Sequence, residues 1–149
     1  VIKQVDWVLL LFFAGLFIVV HGIEKVGVLD PFIENTPITN SLSGILSLHG
    51  LSLVLSQIVS NVPYTILMLP ILKTASSDLL WLSLASSATL AGNATIIGAV
   101  ANIIVIEVAK KYDVEIGFWK FLKVGSIVTV ITLIISVVIL YLQFNWNLL

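Results

Sequence analysis

The sequence of 149 residues contains no cysteine and no arginine, and charged residues make up only 10% of it. Without cysteine the chain forms no disulfide, no thiolate metal site and no thiol nucleophile. Its seven lysines are balanced by eight acidic residues, so there is no basic field that would hold a nucleic-acid backbone. The sequence also lacks an acid pair, a nucleophile with a base, a glycine-rich phosphate loop and a zinc-ligand cluster. We therefore expect no nucleic-acid partner, no enzyme activity and no cofactor.

Hydrophobic residues are abundant instead, at 59% of the chain, and the mean hydropathy is +1.16. Such a value is far above that of soluble domains and indicates that the chain is dissolved in a lipid bilayer. The chain begins at Val1, and its first hydrophobic stretch lacks a small-residue cleavage site, which favours a spanning helix over a signal peptide. The expected fold class is an all-α integral membrane protein, and the chain is interpreted as a fragment of a longer permease.

Two apolar stretches are long enough to cross the membrane, at residues 5–29 and 124–143. About 20 such residues cover the ~30 Å hydrocarbon core. Residues 30–43 are polar and contain helix breakers, so we expect them to lie along the membrane surface. Aromatic residues and lysines alternate in residues 116–123, which predicts an interfacial elbow before the last span.

Two further apolar stretches are interrupted by helix breakers. Residues 44–73 contain Ser60-Asn61-Val62-Pro63, and the arms on either side reach only about 24 and 14 Å. We predict a re-entrant helical hairpin that turns near the middle of the membrane. Residues 78–112 contain Gly92-Asn93, where Asn93 is expected to cap a new helix that starts at residue 94 or 95. This segment is predicted to be a discontinuous transmembrane helix.

Each break offers helix ends and polar groups at membrane depth. Unsatisfied backbone groups are costly in hydrocarbon and are tolerated where they line a hydrated cavity. Helix N-termini attract anions, and unwound carbonyls coordinate hard cations such as Na⁺. We expect the amides from Tyr64 onward to be free for an anion, and the carbonyls of Ala91 and Gly92 to be available to Na⁺. The candidate binding residues are Ser60, Asn61, Gly92, Asn93, Thr95 and Asn102. Thr95 and Asn102 are expected to lie on one helical face with Gly98. Na⁺ is expected to bind at Ser60, Asn61, Gly92 and Asn93.

Other polar residues in the apolar stretches include serines and a few ionisable residues, which are interpreted separately. Serines at helical spacing are expected to allow close helix packing; they are Ser47, Ser52, Ser56, Ser83, Ser86 and Ser87. His21, His49 and Glu107 are candidate proton carriers, because ionisable groups within spans often have a function. Glu107 is followed by Lys110 and Lys111 one turn later, which favours an interfacial ion pair.

The lysines predict an orientation, because positively charged loops stay in the cytoplasm. Five of them lie on one side of the predicted layout, and two lie on the other side together with three acidic residues. The first group is Lys3, Lys110, Lys111, Lys120 and Lys123; the second is Lys25 and Lys73 with Asp30, Glu34 and Asp78. We expect a plasma-membrane protein in which this chain has a cytoplasmic N-terminus, a C-terminus outside and a hairpin that enters from outside.

Several motifs in order resemble the C-terminal half of the ion transporter superfamily, which includes arsenite permeases, citrate transporters and divalent anion/sodium symporters. The motifs are Asp6-Trp7 leading into 9–17, Glu24-Lys25, 56–63, 90–98, Ala101-Asn102, Gly117-Phe118-Trp119 and 122–125. In that superfamily two inverted repeats each contribute a hairpin and a broken helix, and the substrate lies between the two hairpin tips. The resemblance implies that this chain is the second repeat.

The resemblance also implies residue roles and partners. The hairpin-tip role falls on Ser60, Asn61, Val62 and Pro63, and the broken-helix role falls on Gly92, Asn93 and Thr95. Sodium-coupled dicarboxylate members carry Ser-Asn-Thr at the tip, whereas the third position here is Val62. The implied partners are an N-terminal repeat, the lipid bilayer, a second copy of the full transporter and a small anionic solute.

We therefore expect half of a secondary transporter for an oxyanion or a carboxylate, coupled to Na⁺ or H⁺ as a symporter or antiporter, with an elevator-type motion. A Na⁺/H⁺ antiporter of the same superfamily and a membrane assembly module without transport activity are the alternatives. Ion-dependent uptake distinguishes the three.

Overall fold

The computed structural model describes residues 7–27, 30–31, 38–75 and 77–148. Within these residues the chain is helical and contains no strand. The helices are α1 (Trp7–Val26), α2 (Leu42–Val59), α3 (Asn61–Ala75), α4 (Asp78–Ala91), α5 (Val100–Lys110) and α6 (Phe118–Asn145). The chain divides into two compact units, Val1–Asn35 and Thr36–Leu149. The all-helical class is therefore confirmed for the described residues.

The first unit contains α1, a helix of 20 residues within the stretch expected at 5–29. It ends at Gly27, whose φ of 70° is readily adopted only by glycine. The backbone N–H of Asp30 donates to the Gly27 carbonyl over 3.2 Å and closes the turn. The ends of the predicted span at residues 5–6 and 28–29, and most of the predicted surface segment, lie outside the described residues.

The second unit begins with two helices joined by a single residue. Ser41 caps the N-terminus of α2 by accepting from the Gly44 N–H, and Ser60 alone separates α2 from α3. At the opposite end, the Ser77 hydroxyl donates to the Asn40 side-chain oxygen over 2.8 Å. The beginning of α2 and the end of α3 therefore lie side by side, and the two helices form a hairpin.

The second arm of the hairpin is longer than expected. Because Ser60 makes the whole turn, α3 starts at Asn61 and has 15 residues, which is about 22 Å. Pro63 lies in its first turn, where the missing N–H costs no hydrogen bond. The first arm, α2, has 18 residues and is about 27 Å long.

Helix α4 packs against both arms of the hairpin, and α6 packs against α4 and α2. Small hydroxyl residues are buried in this unit, as their spacing predicted: Ser52, Ser56, Ser83 and Ser87 have no exposed surface. Ser52 and Ser87 are also hydrogen-bonded to each other over 2.6 Å. The contact between α2 and α4 is therefore both close and polar.

Helix α6 has 28 residues without interruption, so the predicted elbow and the predicted last span are one helix. The Thr129 hydroxyl donates to the Leu90 carbonyl over 3.4 Å, and Gly125 lies directly against the carbonyl oxygen of Asn93. Near its C-terminus, Leu140 packs with Ile45 and Leu79. Among the described helices, α2 and α6 are long and apolar enough to cross a membrane.

Candidate functional site

The hairpin tip contacts the segment between α4 and α5. The backbone N–H of Asn61 donates to the Gly98 carbonyl over 3.0 Å, and the Ser60 hydroxyl donates to the same oxygen over 3.4 Å. A Cβ atom added to Gly92 would lie 3.2 Å from the amide nitrogen of the Asn61 side chain, so the absence of a side chain at Gly92 permits this approach. The two breaks identified in the sequence thus form one structure, which we call the tip–break junction: residues 57–61 with 91–102.

Ser60 has an unusual backbone conformation, with φ 70° and ψ 159°. This region is populated almost only by glycine, and another residue there costs about 1–3 kcal/mol. The Ser60 side chain is nearly buried, and its two neighbours are held within helices. Such strain is concentrated at functional sites, which supports a role for the tip beyond that of a connector.

The second break is longer than the sequence suggested. Helix α4 ends at Ala91, and α5 begins only at Val100, with turns and bends over residues 92–99. Asn93 is not the N-cap of α5, because its N–H donates to the Leu90 carbonyl over 3.2 Å and continues the end of α4. The N-cap is Ala99, which provides no side-chain hydrogen bond. The expectation of a new helix at residue 94 or 95 is therefore wrong.

Asn102 spans this break from the first turn of α5. Its amide nitrogen donates to the Gly92 carbonyl over 2.8 Å and to the Thr95 carbonyl over 2.9 Å. The structure thus brings Asn102 to the predicted site, but not on a common helical face with Thr95 and Gly98, which lie in non-helical backbone. Both hydrogens of the Asn102 amide are used to hold the break together.

Gln57 is a residue of the junction that the sequence analysis missed. Its amide nitrogen donates to the Ala91 carbonyl over 2.9 Å, and its side-chain oxygen accepts from the Thr95 hydroxyl over 2.8 Å. The Thr95 hydroxyl in turn accepts from the Gly98 N–H over 3.1 Å. Gln57 therefore connects the hairpin to both sides of the break. The sequence contained one indication of this role, because Gln57 is an amide side chain in an otherwise apolar stretch, one turn before the tip.

The carbonyl groups expected to hold Na⁺ already accept hydrogen bonds. The Ala91 and Gly92 oxygens accept from Gln57 and Asn102, respectively. The Ala91 oxygen also accepts from the Ala94 N–H over 3.1 Å, so both of its lone pairs are used. The Gly92 oxygen has a second lone pair, but the neighbouring amide hydrogens of Asn102 repel a cation. The side-chain oxygens of Asn61 and Asn93 make no hydrogen bond within the described part of the chain. They are the better cation ligands of the set.

The helix N-termini at the junction have unpaired amides, though not where they were expected. The Tyr64 N–H donates to the Ser60 carbonyl over 3.1 Å, because α3 begins at Asn61, so the prediction of free amides from Tyr64 onward is wrong. In the first turns of α3 and α5, the N–H groups for which the structure shows no acceptor are those of Val62, Val100 and Ala101. The positive ends of two helix dipoles therefore meet at the junction.

A groove of about 460 Å³ opens beside the break. It is lined by Asn93, Ile116, Lys120, Phe121, Val124, Gly125 and Val128. Asn93 and Val62 are exposed, whereas Pro63 is buried. The exposed Asn93 side chain of the break therefore lines a space of the size of a small solute.

Glu107, a candidate proton carrier, lies on α5 away from this groove's lining. Glu107, Lys110 and Lys111 are all exposed, and within the described residues Glu107 forms no ion pair with either lysine. The predicted ion pair is therefore wrong for this structure.

Comparison with known proteins decides the family. Residues 1–85, more than half of the chain, match the family described as citrate transporter. The chain belongs to the citrate transporter family. The superfamily resemblance drawn from the motifs is thereby confirmed.

Relatives in this family cover nearly the whole chain. The chain is 35% identical over 154 residues to an uncharacterized transporter of Mycobacterium tuberculosis, with 96% of this chain and 36% of the relative aligned. It is 40% identical over 152 residues to arsB of Dictyostelium discoideum, which is named as a transporter, with 95% and 26% aligned. It is 26% identical over 166 residues to the P protein of Sus scrofa, with 99% and 20% aligned. No solved structure matches.

The chain thus spans about a third of the length of the first of these relatives. The family and two of these three relatives are described as transporters, and none of them is described as an enzyme. The chain therefore belongs to a family of membrane transporters and not of enzymes. The family name assigns no substrate to this chain.

Proposed function

We propose that this chain is the second repeat of a secondary active transporter that moves an anion, either an oxyanion such as arsenite or a carboxylate, coupled to Na⁺ or H⁺. The observation that carries the proposal is the meeting of two helix N-termini, those of α3 and α5, at the tip–break junction. Asn61 and Gly98 are hydrogen-bonded across it over 3.0 Å.

The electrostatics of the junction favour an anion. Each helix N-terminus is equivalent to about half a positive charge. Residues 38–72 and 79–106 contain no acidic or lysine side chain that would cancel it. The unpaired N–H groups of Val62, Val100 and Ala101 are donors for an oxyanion or carboxylate. Lys120, which lines the adjacent groove, adds positive potential on the approach to the site.

A coupling cation has different ligands at the same place. The C-termini of α2 and α4 reach the junction with their negative dipole ends. The neutral oxygens of Ser60, Asn61 and Asn93, with the remaining lone pair of the Gly92 carbonyl, form a hard ligand set of the kind that Na⁺ prefers. Hydrogen bonds of Thr95 and Asn102 fix the backbone of the break and so position these ligands.

The proposed membrane setting makes α2 and α3 a re-entrant hairpin and makes α4 and α5 one discontinuous transmembrane helix. The stretch of α6 between Lys123 and Gln143 contains no charged residue and has its midpoint at Leu133. The junction lies beside Gly125 and Thr129, which is about 9 Å from that midpoint towards the Lys120 end. We infer an inward-facing arrangement, in which the lysine-rich end is cytoplasmic and an elevator-type motion carries the junction outward.

This setting includes partners that the transporter needs. A second, inverted repeat supplies the opposite hairpin tip, because one tip encloses only half of a site at the membrane midplane. The intact protein is proposed to be a homodimer in the plasma membrane. In it the N-terminus of this chain is cytoplasmic and its C-terminus is outside.

Substitution of the two amide side chains whose oxygens are unbonded, the partly buried Asn61 and the exposed Asn93, tests the proposal. In the intact transporter that contains this chain, Asn61→Ala and Asn93→Ala should each reduce uptake by about tenfold or more per inserted molecule, because each removes a side-chain ligand worth ~1.4 kcal/mol. Asn145→Ala is the matched control, since Asn145 is exposed at the end of α6. Radiolabelled solute uptake, measured with Na⁺ and pH varied independently, is the assay.

The ion dependence of that uptake separates the candidates. Anion uptake that requires Na⁺ or H⁺ supports the proposal, whereas exchange of Na⁺ for H⁺ without an anion supports an antiporter. If no solute moves in the wild type, the assembly-module alternative stands. If Asn61→Ala and Asn93→Ala leave uptake and its ion dependence unchanged, the binding role of the junction is refuted.

A further inference from the structure

His49 lies in the first arm of the hairpin, about 16 Å from the tip along α2, and is almost completely buried. Its Nδ1 is 2.8 Å from the carbonyl oxygen of Ile45. A carbonyl only accepts hydrogen bonds, so Nδ1 carries a hydrogen in every state. Nε2 is 3.0 Å from the Ser136 hydroxyl on α6, and that hydroxyl is 3.1 Å from the Ser86 hydroxyl on α4. The imidazole therefore begins a hydrogen-bond chain across three helices.

This hydrogen-bond chain is complete in both protonation states of the imidazole. When His49 is neutral, the Ser136 hydroxyl donates to Nε2, and the Ser86 hydroxyl donates to the Leu82 carbonyl over 2.8 Å. When His49 is protonated, Nε2–H donates to Ser136, and Ser136 donates to Ser86, which keeps its bond to Leu82. Adding a proton therefore turns one hydroxyl group, that of Ser136, and every hydrogen of the network keeps an acceptor. A buried histidine whose accepting nitrogen faces a fixed donor, such as a backbone N–H, loses that hydrogen bond on protonation, because the nitrogen itself becomes a donor.

We propose that His49 is a reversible proton-binding site and that it carries the coupling proton of the transporter. The coupling role rests on the proposed function, whereas reversible proton binding at His49 does not. The proton comes from water and returns to water, and no other bond is made or broken.

No charged group holds His49 permanently in one protonation state. On α2, His49 is the one ionisable residue, and α4 contributes only Asp78, which is exposed at its first position. Helix α3 contributes Tyr64, which is bonded to Ser52, and the exposed Lys73 at its far end. Helix α6 contributes Lys120 and Lys123 at the end near the junction and the exposed Tyr141. With no carboxylate facing the ring among the described residues, an imidazolium is able to release its proton again.

Buried hydroxyl groups lie along α2 between His49 and the tip. Ser52 is bonded to Ser87 over 2.6 Å and to Tyr64 over 3.1 Å. Ser56 lies one turn beyond Ser52 on the same face of α2, and Ser60 follows the C-terminus of that helix. The Ser56 hydroxyl is fully buried and has no partner in the described part of the chain, which leaves it available to a water molecule. The segment between His49 and the tip therefore contains buried hydroxyl groups as well as hydrocarbon.

A groove lies beside the ring. It has a volume of about 380 Å³ and runs between α2 and α6, and His49 is the polar side chain in its lining. Gly50 leaves open space there, with no other group within 4 Å of the position of a Cβ atom.

The first experiment measures protonation directly on this chain in lipid nanodiscs, by NMR of ¹⁵N-labelled imidazoles between about pH 5 and 8. His21→Gln leaves one imidazole signal, which is that of His49. We expect an Nδ1–H tautomer at high pH and protonation at lower pH with the backbone spectrum retained. Ser136→Ala should make protonation harder, because the imidazolium then loses an acceptor, while the Nδ1–H tautomer persists. A ring that stays neutral wherever the protein is folded, or protonation that releases α2 from α6, would overturn the proposal.

The second experiment tests coupling in the intact transporter. His49→Gln should flatten the pH dependence of uptake, whereas His21→Gln should leave it as in the wild type. Unchanged pH dependence in His49→Gln would refute the coupling role. Absence of uptake in the wild type would refute the proposed function, and with it the coupling, without affecting the NMR result.

Discussion

At the scale of single residues, the junction depends on side chains that bond to backbone. Ser60, Asn61 and Asn102 are recognisable in the sequence, because polar groups at helix breaks are unusual in apolar segments. Gln57 is not recognisable in this way, because an amide within a helix has no local partner that reveals its use. The partner of Gln57 is the Ala91 carbonyl, 34 residues away in the chain.

The Gln57 bridge predicts a pH-dependent variant. In Gln57→Glu, only the protonated carboxyl donates to the Ala91 carbonyl and still accepts from Thr95, while a carboxylate faces that carbonyl with a negative charge. We expect uptake by the intact transporter to be low at neutral pH and to recover at acidic pH. Gln57→Ala should be low at every pH.

Gln143→Glu on α6 is the matched control, because Gln143 lies outside the junction. Uptake per inserted molecule across a pH series is the measurement. Equal pH profiles for Gln57→Glu and the wild type would show that Gln57 does not position the break.

The strained backbone of Ser60 predicts opposite effects of two small substitutions. Ser60→Gly relieves the unfavourable φ and ψ, whereas Ser60→Ala keeps the strain and also removes the hydroxyl. The free energy of unfolding in mixed micelles should therefore be higher for Ser60→Gly than for Ser60→Ala by about 1 kcal/mol. Equal stability of the two variants would mean that the turn relaxes without cost. Uptake should fall in both if the hydroxyl binds substrate.

At the scale of secondary-structure elements, the sequence located both interruptions but misjudged their extent. The hairpin turn is one residue, because a single strained residue reverses the chain. The second break has eight residues, 92–99, and its backbone groups are satisfied by side chains. Asn102 on α5 and Thr95 within the break bond to its backbone, and Gln57 on α2 bonds to the Ala91 carbonyl at its start. Local propensity contains no information about such distant donors, so Gly92-Asn93 suggested a short interruption.

The hairpin depth is measurable in this naturally cysteine-free chain. Single cysteines that replace Asn40, Val62 and Lys73 carry spin labels, and EPR accessibility to oxygen and to a nickel chelate reports their depth. We expect residues 40 and 73 at the same membrane surface, because Asn40 and Ser77 are in contact. Residue 62 should lie about 9 Å from the bilayer centre towards the Lys120 side.

The positions of the same labels also distinguish the hairpin from other topologies. A label at residue 62 in the aqueous phase beyond the opposite surface would make α2 and α3 two complete crossings. Labels at residues 40 and 73 on opposite sides would refute the hairpin itself.

At the scale of the whole molecule, one junction with one hairpin tip encloses its ligand from one side only. We therefore predict that the 149-residue chain reconstituted alone shows no saturable, gradient-driven anion uptake. Two identical chains inserted in opposite orientations would supply both tips, but five lysines against two on the predicted sides favour a single orientation. Uptake by proteoliposomes, compared with liposomes lacking protein, is the measurement. Saturable uptake that responds to an imposed ion gradient would contradict the prediction.

The sequence by itself determined the membrane environment, the helical class, the family and the positions of both breaks. These follow from composition, from the length of apolar runs and from the placement of proline, glycine and asparagine, which act on their immediate neighbours. Only the tertiary structure decided that the two breaks are in contact, which amides are unpaired, and that Gln57 and His49 connect separate helices. Hydrogen bonds between residues 34 to 87 positions apart depend on how the helices pack, and no local pattern encodes that arrangement.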